Sequence, residues 1–154
     1  MIVHARDEAS TKTFGRRLAR WAEAGDLILL KGEVGMGKTT MARAFVRERA
    51  GEEIDVPSPT FALVESYSFD VPLHHVDLYR LDGADQIIEL GLDDLYDDGI
   101  VLIEWPERAE GGLPRYGLEV AINEAEGGGR TITLTARDAS TEKRLASWRG
   151  EAQV

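Results

Sequence analysis

Two runs of this chain are apolar at every position, Leu27-Ile28-Leu29-Leu30 and Ile100-Val101-Leu102-Ile103. Runs this short and continuous read as strands buried on both faces, the pattern of parallel strands at the centre of a helix-covered sheet. A third segment, Thr131-Ile132-Thr133-Leu134-Thr135, alternates strictly, and together with Leu118 to Ile122 it brackets Gly127-Gly128-Gly129. That arrangement predicts an antiparallel hairpin with one half-exposed face. Phe14, Leu18 and Trp21 recur at i, i+4 and i+7 on one helix face, capped by Asp7 or Ser10 and ended by Gly25. Lys38 to Ala50 predicts a second helix, stopped by Gly51. Ile2 to Ala5 predicts a short first strand, whereas Val56-Pro57-Ser58-Pro59-Thr60 must be a loop, because its prolines cannot pair in a ladder. Phe61 to Phe69 and Leu73 to Asp77 predict neighbouring strands joined by a turn at Asp70-Val71-Pro72. Asp85 to Leu90 and Leu92 to Tyr96 predict short helical pieces around Gly91, and Ser140 to Trp148 predicts a closing helix. Helices interleaved with buried strands and followed by a hairpin imply an α/β chain with a parallel central sheet, antiparallel edge strands and flanking helices.

Between the first apolar run and the second helix lies Gly32-Glu33-Val34-Gly35-Met36-Gly37-Lys38-Thr39. It fits G-x-x-x-x-G-K-[ST] in the strand-loop-helix context that the motif requires, which predicts a P-loop NTPase fold. The glycines Gly32, Gly35 and Gly37 let the backbone turn and aim successive N–H groups inward, where they and the helix N-terminus meet phosphate oxygens. Lys38 supplies a compact cation for the β- and γ-phosphates, the Thr39 hydroxyl a ligand for Mg²⁺, and Thr40 a hydroxyl near the α-phosphate. Met36 contributes backbone alone, its side chain turned away. Such a cradle needs a second acid, and two strand ends offer one: Ile100-Val101-Leu102-Ile103-Glu104, which has the Walker B form, and Leu73-His74-His75-Val76-Asp77. One acid would position Mg²⁺ and the other orient or deprotonate the attacking water, and either assignment is compatible with the residues. His74 and His75 read as structural, one to each side of their strand.

Length and composition narrow the classes. With 154 residues, 43% of them hydrophobic, residues 1–154 form one domain, with 137–154 as a C-terminal helical tail. The absence of cysteine excludes disulfides, thiol catalysis and Cys-ligated zinc. No signal-like or membrane-length apolar segment occurs, so a cytoplasmic chain without membrane attachment is expected. The net charge of −10 is unevenly spread: residues 1–50 carry +4 (ten basic against six acidic), 51–126 carry −16 (three against nineteen) and 127–154 carry +2. An acidic middle lacks the positive footprint that phosphate-backbone binding requires, so direct binding of nucleic acid is not expected.

The cradle with Thr40, Ser58-Pro59-Thr60-Phe61 with Tyr67 downstream, His75-Val76-Asp77-Leu78-Tyr79-Arg80, Glu89-Leu90-Gly91 and Ile103-Glu104-Trp105-Pro106 occur in the order and spacing of the TsaE (YjeE) family. The resemblance covers roughly residues 5 to 136. It implies an Mg²⁺-dependent ATP-binding and ATP-hydrolysing accessory protein for threonylcarbamoylation of adenosine 37 in tRNAs reading ANN codons. It further implies TsaB and TsaD as partners, with tRNA reached only through their complex. Carried onto this chain, it makes Lys38, Asp77 and Glu104 catalytic, gives the metal to Thr39 and Glu104, and makes Trp105 an aromatic beside the site. Ser58-Pro59-Thr60 resembles a switch loop in which Thr60 senses γ-phosphate or metal. Glu8 falls near the adenine, or serves simply as a helix N-terminal acid. Arg130 either approaches the nucleotide or is a solvated strand-start residue. Met36 departs from the family's usual Ala or Ser, and the tail beyond residue 137 carries no family motif.

Other classes fit less well. A GTP switch needs N-K-x-D, and Asn123, the single asparagine, precedes Glu124. A small-molecule P-loop kinase usually carries an arginine-bearing lid, and residues 51–126 hold only Arg80, Arg108 and Arg115. An ATP-binding regulator without significant turnover shares the same cradle.

Overall fold

The two apolar runs lie side by side at the middle of a seven-stranded sheet. The computed structural model describes residues 1–83, 85–109 and 111–154. In chain order the elements are β1 (Ile2–Ala5), α1 (Glu8–Trp21), β2 (Leu27–Lys31), α2 (Lys38–Ala50), β3 (Val64–Tyr67), β4 (Leu73–Asp77), α3 (Asp85–Leu90), α4 (Asp93–Tyr96), β5 (Ile100–Glu104), a 3-10 turn (Pro106–Ala109), β6 (Leu118–Glu124), β7 (Arg130–Ala136) and α5 (Ala139–Ala152). The sheet order is β1-β7-β6-β2-β5-β4-β3. β6, β2, β5 and β4 run parallel, while β7, β1 and β3 pair antiparallel at the edges. Among the described residues, no helix is long and apolar enough to cross a membrane.

Strand periodicity sorts the core into two layers. Ile28, Leu30, Ile100, Leu102, Leu118, Val120 and Ile122 face one way and pack with Phe14, Leu18, Met41, Phe45 and Leu145 of α1, α2 and α5. Leu27, Leu29, Val101 and Ile103 face the other way and meet Ile87, Leu92 and Tyr96 of α3 and α4. Both faces of β2 and β5 are therefore dry, which is why neither run alternates. The β6–β7 hairpin alternates because its second face stays partly open.

Four boundaries depart from the sequence reading. β3 begins at Val64 rather than Phe61, because Leu63 takes φ +68 and its N–H bonds Pro59 O, so the chain turns where a strand was expected. α1 ends at Trp21, with Ala22 as its C-cap, and Gly25 (φ +92) lies in the turn beyond. α4 starts at Asp93, with Leu92 as its N-cap. α5 is longer than Ser140–Trp148, starting from Asp138, whose side chain accepts the Thr141 N–H at 2.8 Å and the Gly117 N–H at 2.8 Å.

The tail is thus part of the core. Trp148 packs against Trp21 (centroids 5.5 Å apart) and Phe14 (6.0 Å), and Arg144 holds Asp26 at 2.6 Å while lying over the Trp21 ring. Trp148→Ala empties a closed aromatic site and should cost about 3–5 kcal/mol of folding free energy. Chemical denaturation checks this, and an unchanged midpoint would show that α5 adds nothing to the fold.

Candidate functional site

The chain leaves β2 at the carboxyl end of the parallel strands and must turn sharply to start α2. Gly32 makes this possible: it sits at φ +148, and a Cβ there would stand 2.6 Å from the Ile122 carbonyl oxygen. Gly37 caps α2 at φ +106 with no side-chain cap, so the first amides of the helix face the loop without intrahelical acceptors. Those amides and the positive end of the helix suit an anion.

Two acids meet this helix start from the neighbouring strands. The β4–β5 register sets Asp77 opposite Glu104, and both side chains point to the α2 face, in line with Leu73 and with Ile100 and Leu102. Glu104 is 1% exposed and Asp77 4%. The Thr39 hydroxyl donates to Glu104 Oε1 at 3.2 Å, and the Thr60 hydroxyl donates to Asp77 Oδ2 at 3.2 Å. The Tyr79 N–H donates to the other Asp77 oxygen at 2.8 Å. The Lys38 ammonium, itself buried, donates to Gly32 O and to Glu33 O (3.0 Å) and lies 4.2 Å from the Trp105 ring centre. Trp105 holds φ +58 and stacks obliquely on Tyr79 at 4.9 Å.

These groups line a cavity of about 410 Å³: Gly35, Gly37, Lys38, Thr39, Thr40, Thr60, Asp77, Glu104 and Trp105, with Val34 and Tyr79. A second cavity of about 270 Å³ lies across the loop, lined by Glu8, Met36, Arg130, Thr11 and parts of the first turn of α1. The sequence candidates therefore fall into two groups that share Gly35, Gly37 and Thr40. Gly32 lines neither cavity and acts through the turn. Met36 is partly buried against the hydrophobic core and also lines the second cavity. Glu8 is exposed at the head of α1 and pairs with Lys12 at 3.2 Å. Arg130 is half-buried, and its guanidinium donates to Met36 O (3.0 Å), Gly35 O (3.3 Å) and Gly129 O (2.9 Å), tying β7 to the loop.

The sequence profile described as threonylcarbamoyl adenosine biosynthesis protein TsaE matches residues 5–132. This chain belongs to the TsaE family. The tRNA threonylcarbamoyladenosine biosynthesis protein TsaE of Bacillus subtilis strain 168 is 38% identical over 128 residues, covering 82% of this chain and 79% of that protein. The protein of the same name from Streptomyces coelicolor is 40% identical over 120 residues, covering 75% of this chain and 80% of that one. The crystal structure of Bacillus subtilis YdiB superposes with a TM-score of 0.84 at 29% identity, covering 98% of this chain and 95% of that one.

In this TsaE-family chain the oxygen donors of Thr39 and Glu104 are of the kind a hard divalent cation takes. Among the described residues, no three His, Cys, Asp or Glu side chains gather into a metal cage. That donor set fits Mg²⁺, which takes one or two protein oxygens and fills its remaining positions with water and phosphate. Two side chains to which the sequence reading gives no site role, His75 read as structural and Tyr79 quoted only within a motif, belong to the surroundings of the site. Tyr79 lines the cavity, and His75, completely buried, bonds Glu104 Oε2 at 2.6 Å through Nε2. Period-two geometry carried the signal for His75, since it precedes Asp77 by two positions and shares its face. His74 turns to the other side, toward Ser66 (2.8 Å) and Asp98 (3.3 Å).

Burial raises the Asp77 carboxyl above its ordinary 3.8, opposed by the Tyr79 amide, reinforced by neighbouring Glu104 and opposed again by the Thr60 hydroxyl. Burial likewise lowers Lys38 below its ordinary 10.5, against the pull of Glu104, Glu107, Asp77 and Glu33. For Asp77 the folded state binds its proton more tightly than the unfolded state does. This group's contribution therefore falls as pH rises from 3.8 through the raised value. Asp77→Asn keeps an acceptor for the Tyr79 N–H and removes the buried charge. We expect its melting temperature at pH 7 to exceed that of the wild type, with a flatter stability profile just above 3.8. An equal or lower melting temperature in differential scanning calorimetry would refute the claim.

Proposed function

We propose that this chain is an Mg²⁺-dependent P-loop ATPase serving formation of the threonylcarbamoyl group on adenosine 37 of tRNAs reading ANN codons, acting in the cytoplasm with TsaB and TsaD. The observation that carries the reading is the convergence of Lys38, Thr39, Asp77 and Glu104 on one cavity at the open start of α2. Membership in the TsaE family, together with the printed names of the Bacillus and Streptomyces relatives, supports the pathway.

In this reading the loop amides and the α2 N-terminus bind the phosphates of ATP, and Lys38 exchanges the Gly32 and Glu33 carbonyls for phosphate oxygens. Thr39 and Glu104 hold Mg²⁺, which neutralises charge on the phosphates when bound. Asp77 orients the attacking water and accepts its proton, a task suited to a carboxyl whose proton affinity burial has raised. Thr60, hydrogen-bonded to Asp77, links the presence of the terminal phosphate to the loop that carries Phe61. The second cavity receives the base, with Glu8 at its rim and Arg130 fixing its wall through the Gly35 and Met36 carbonyls. Trp105 closes the first cavity beside Lys38.

Among the described residues, no arginine lines the first cavity: Arg80 lies 3.9 Å over the Phe61 ring and Arg108 5.3 Å from the Tyr79 ring. Hydrolysis by the chain alone is therefore slow, and partners stimulate it. Phosphate release should rise on adding purified TsaB and TsaD. In that assay Asp77→Asn should lose at least about 10²-fold in rate while remaining folded. Lys38→Ala should fail to support tRNA modification in the reconstituted system. Fast turnover without partners, or modification supported by Lys38→Ala, would sink the proposal.

A further inference from the structure

The Glu104 carboxylate is gripped from both sides. Oε1 faces the cavity and accepts the Thr39 hydroxyl at 3.2 Å, whereas Oε2 faces the interior and meets His75 Nε2 at 2.6 Å. Both His75 and Glu104 are closed to solvent, at 0% and 1% exposure, and His75 does not line either cavity around the loop. It therefore touches no ligand there and acts only through Glu104.

A histidine is a poor choice for mere filling at this place. Its other ring nitrogen, Nδ1, is buried without a hydrogen-bond partner, a loss that leucine or phenylalanine would not incur. What the ring provides in return is one short donor to a carboxylate oxygen that would otherwise be buried unpaired. An ionised carboxylate oxygen only accepts, so against the carboxylate form of Glu104 it is Nε2 that carries the hydrogen. The strands make this geometry: His75 stands one same-face position before Asp77 on β4, and Asp77 pairs with Glu104. The ring thus lies beneath the carboxylate, on the side away from Thr39.

We propose that His75 is a positioning residue that locks the carboxylate plane of Glu104, keeping Oε1 toward Thr39 and the cation that this pair would hold. The inference rests on the Mg²⁺-nucleotide reading above. Outer partners of metal ligands typically contribute about 10- to 100-fold to metal affinity or activity.

Side-chain shape supplies the test. The amide nitrogen of glutamine falls near the place of histidine Nε2, whereas that of asparagine falls near Nδ1, so His75→Gln restores the donor and His75→Asn does not. The gain in ADP affinity on adding Mg²⁺, measured by titration calorimetry, should fall about 10- to 100-fold in His75→Asn. It should stay within about threefold of wild type in His75→Gln. Mg²⁺-free ADP affinity should be alike in all three proteins. Should His75→Asn fail to fold, ring ¹⁵N spectra of nucleotide-free wild type decide: Nε2 bonded to a slowly exchanging hydrogen supports the proposal, and an Nδ1–H tautomer overturns it. Equal Mg²⁺ gains in the two variants would also overturn it. A wild-type protein that takes up no Mg²⁺-ADP would instead refute the parent reading, an outcome distinct from two variants that both behave like wild type.

Discussion

Everything at the site depends on the register in which β4 and β5 pair. Parallel pairing that sets Val76 opposite Ile103 and Asp77 opposite Glu104 delivers two carboxylates to one point at the carboxyl end of the sheet. A slip of one residue would turn one of them to the α3–α4 face. The slip is resisted because β5 is dry on both sides: Ile100 and Leu102 are committed to the α1–α2 layer, Val101 and Ile103 to the α3–α4 layer. β2 lies beside β5, so the helix that follows it starts above the same edge, and Lys38 and Thr39 arrive without any further constraint. Open α/β sheets place ligands at such edges for this reason.

The residues that make the site are the ones that least favour the folded state. Lys38, His75, Asp77 and Glu104 are the buried ionisable side chains around it, and burial shifts Asp77 up and Lys38 down, both toward neutrality. Trp105 and Leu63 hold positive φ, a conformation that costs non-glycine residues of order ~1–3 kcal/mol. Trp105 abuts Lys38, and the Leu63 carbonyl accepts the Asp77 N–H at 2.9 Å, so both outliers are fastened to the site rather than scattered over the fold. Charge burial and backbone strain coincide at one place, and the apolar sheet layers elsewhere offset them.

The strong patterns were legible. The apolar runs, the alternating hairpin and the glycine-framed loop predicted the parallel centre, the antiparallel edges and the helix after β2, because each is a local consequence of burial or backbone freedom. Asp77 and Glu104 were legible as strand-end acids, though not as neighbours, since register is a property of pairing and not of either strand alone. The partners of Arg130 were not legible for a similar reason: Gly35 and Met36 lie 95 and 94 residues away along the chain. The sequence pattern overextends β3 because Phe61 looks like a strand residue, whereas Phe61 is 79% exposed and the chain turns at Leu63 through a bond to Pro59 that no composition signals. The tail showed no motif, yet its helix is anchored by Trp148 and Leu145, whose burial depends on where α1 and β7 bring their partners.

Charge placement bears on which anions this surface admits. Among the described residues between 51 and 126, Asp77 and Glu104 are the only buried acids, so the acidic excess described in this stretch lies on the accessible surface. Several arginines of the more basic first third are committed to protein oxygens: Arg43 to Val56 O, Arg47 to Ile54 O, Arg49 to Ala19 O and Arg20 to Glu48. Arg43 and Arg47 staple the segment before Thr60 onto α2, which is a structural task. A phosphate backbone gains its affinity by releasing counterions to free cationic groups, and a surface organised in this way provides few of them. An acidic exterior around a cavity rimmed by the uncapped start of α2 favours a small anion met by backbone amides over a polyanion. Under the proposed function, that discrimination would leave the nucleotide to this chain and the RNA to companion proteins.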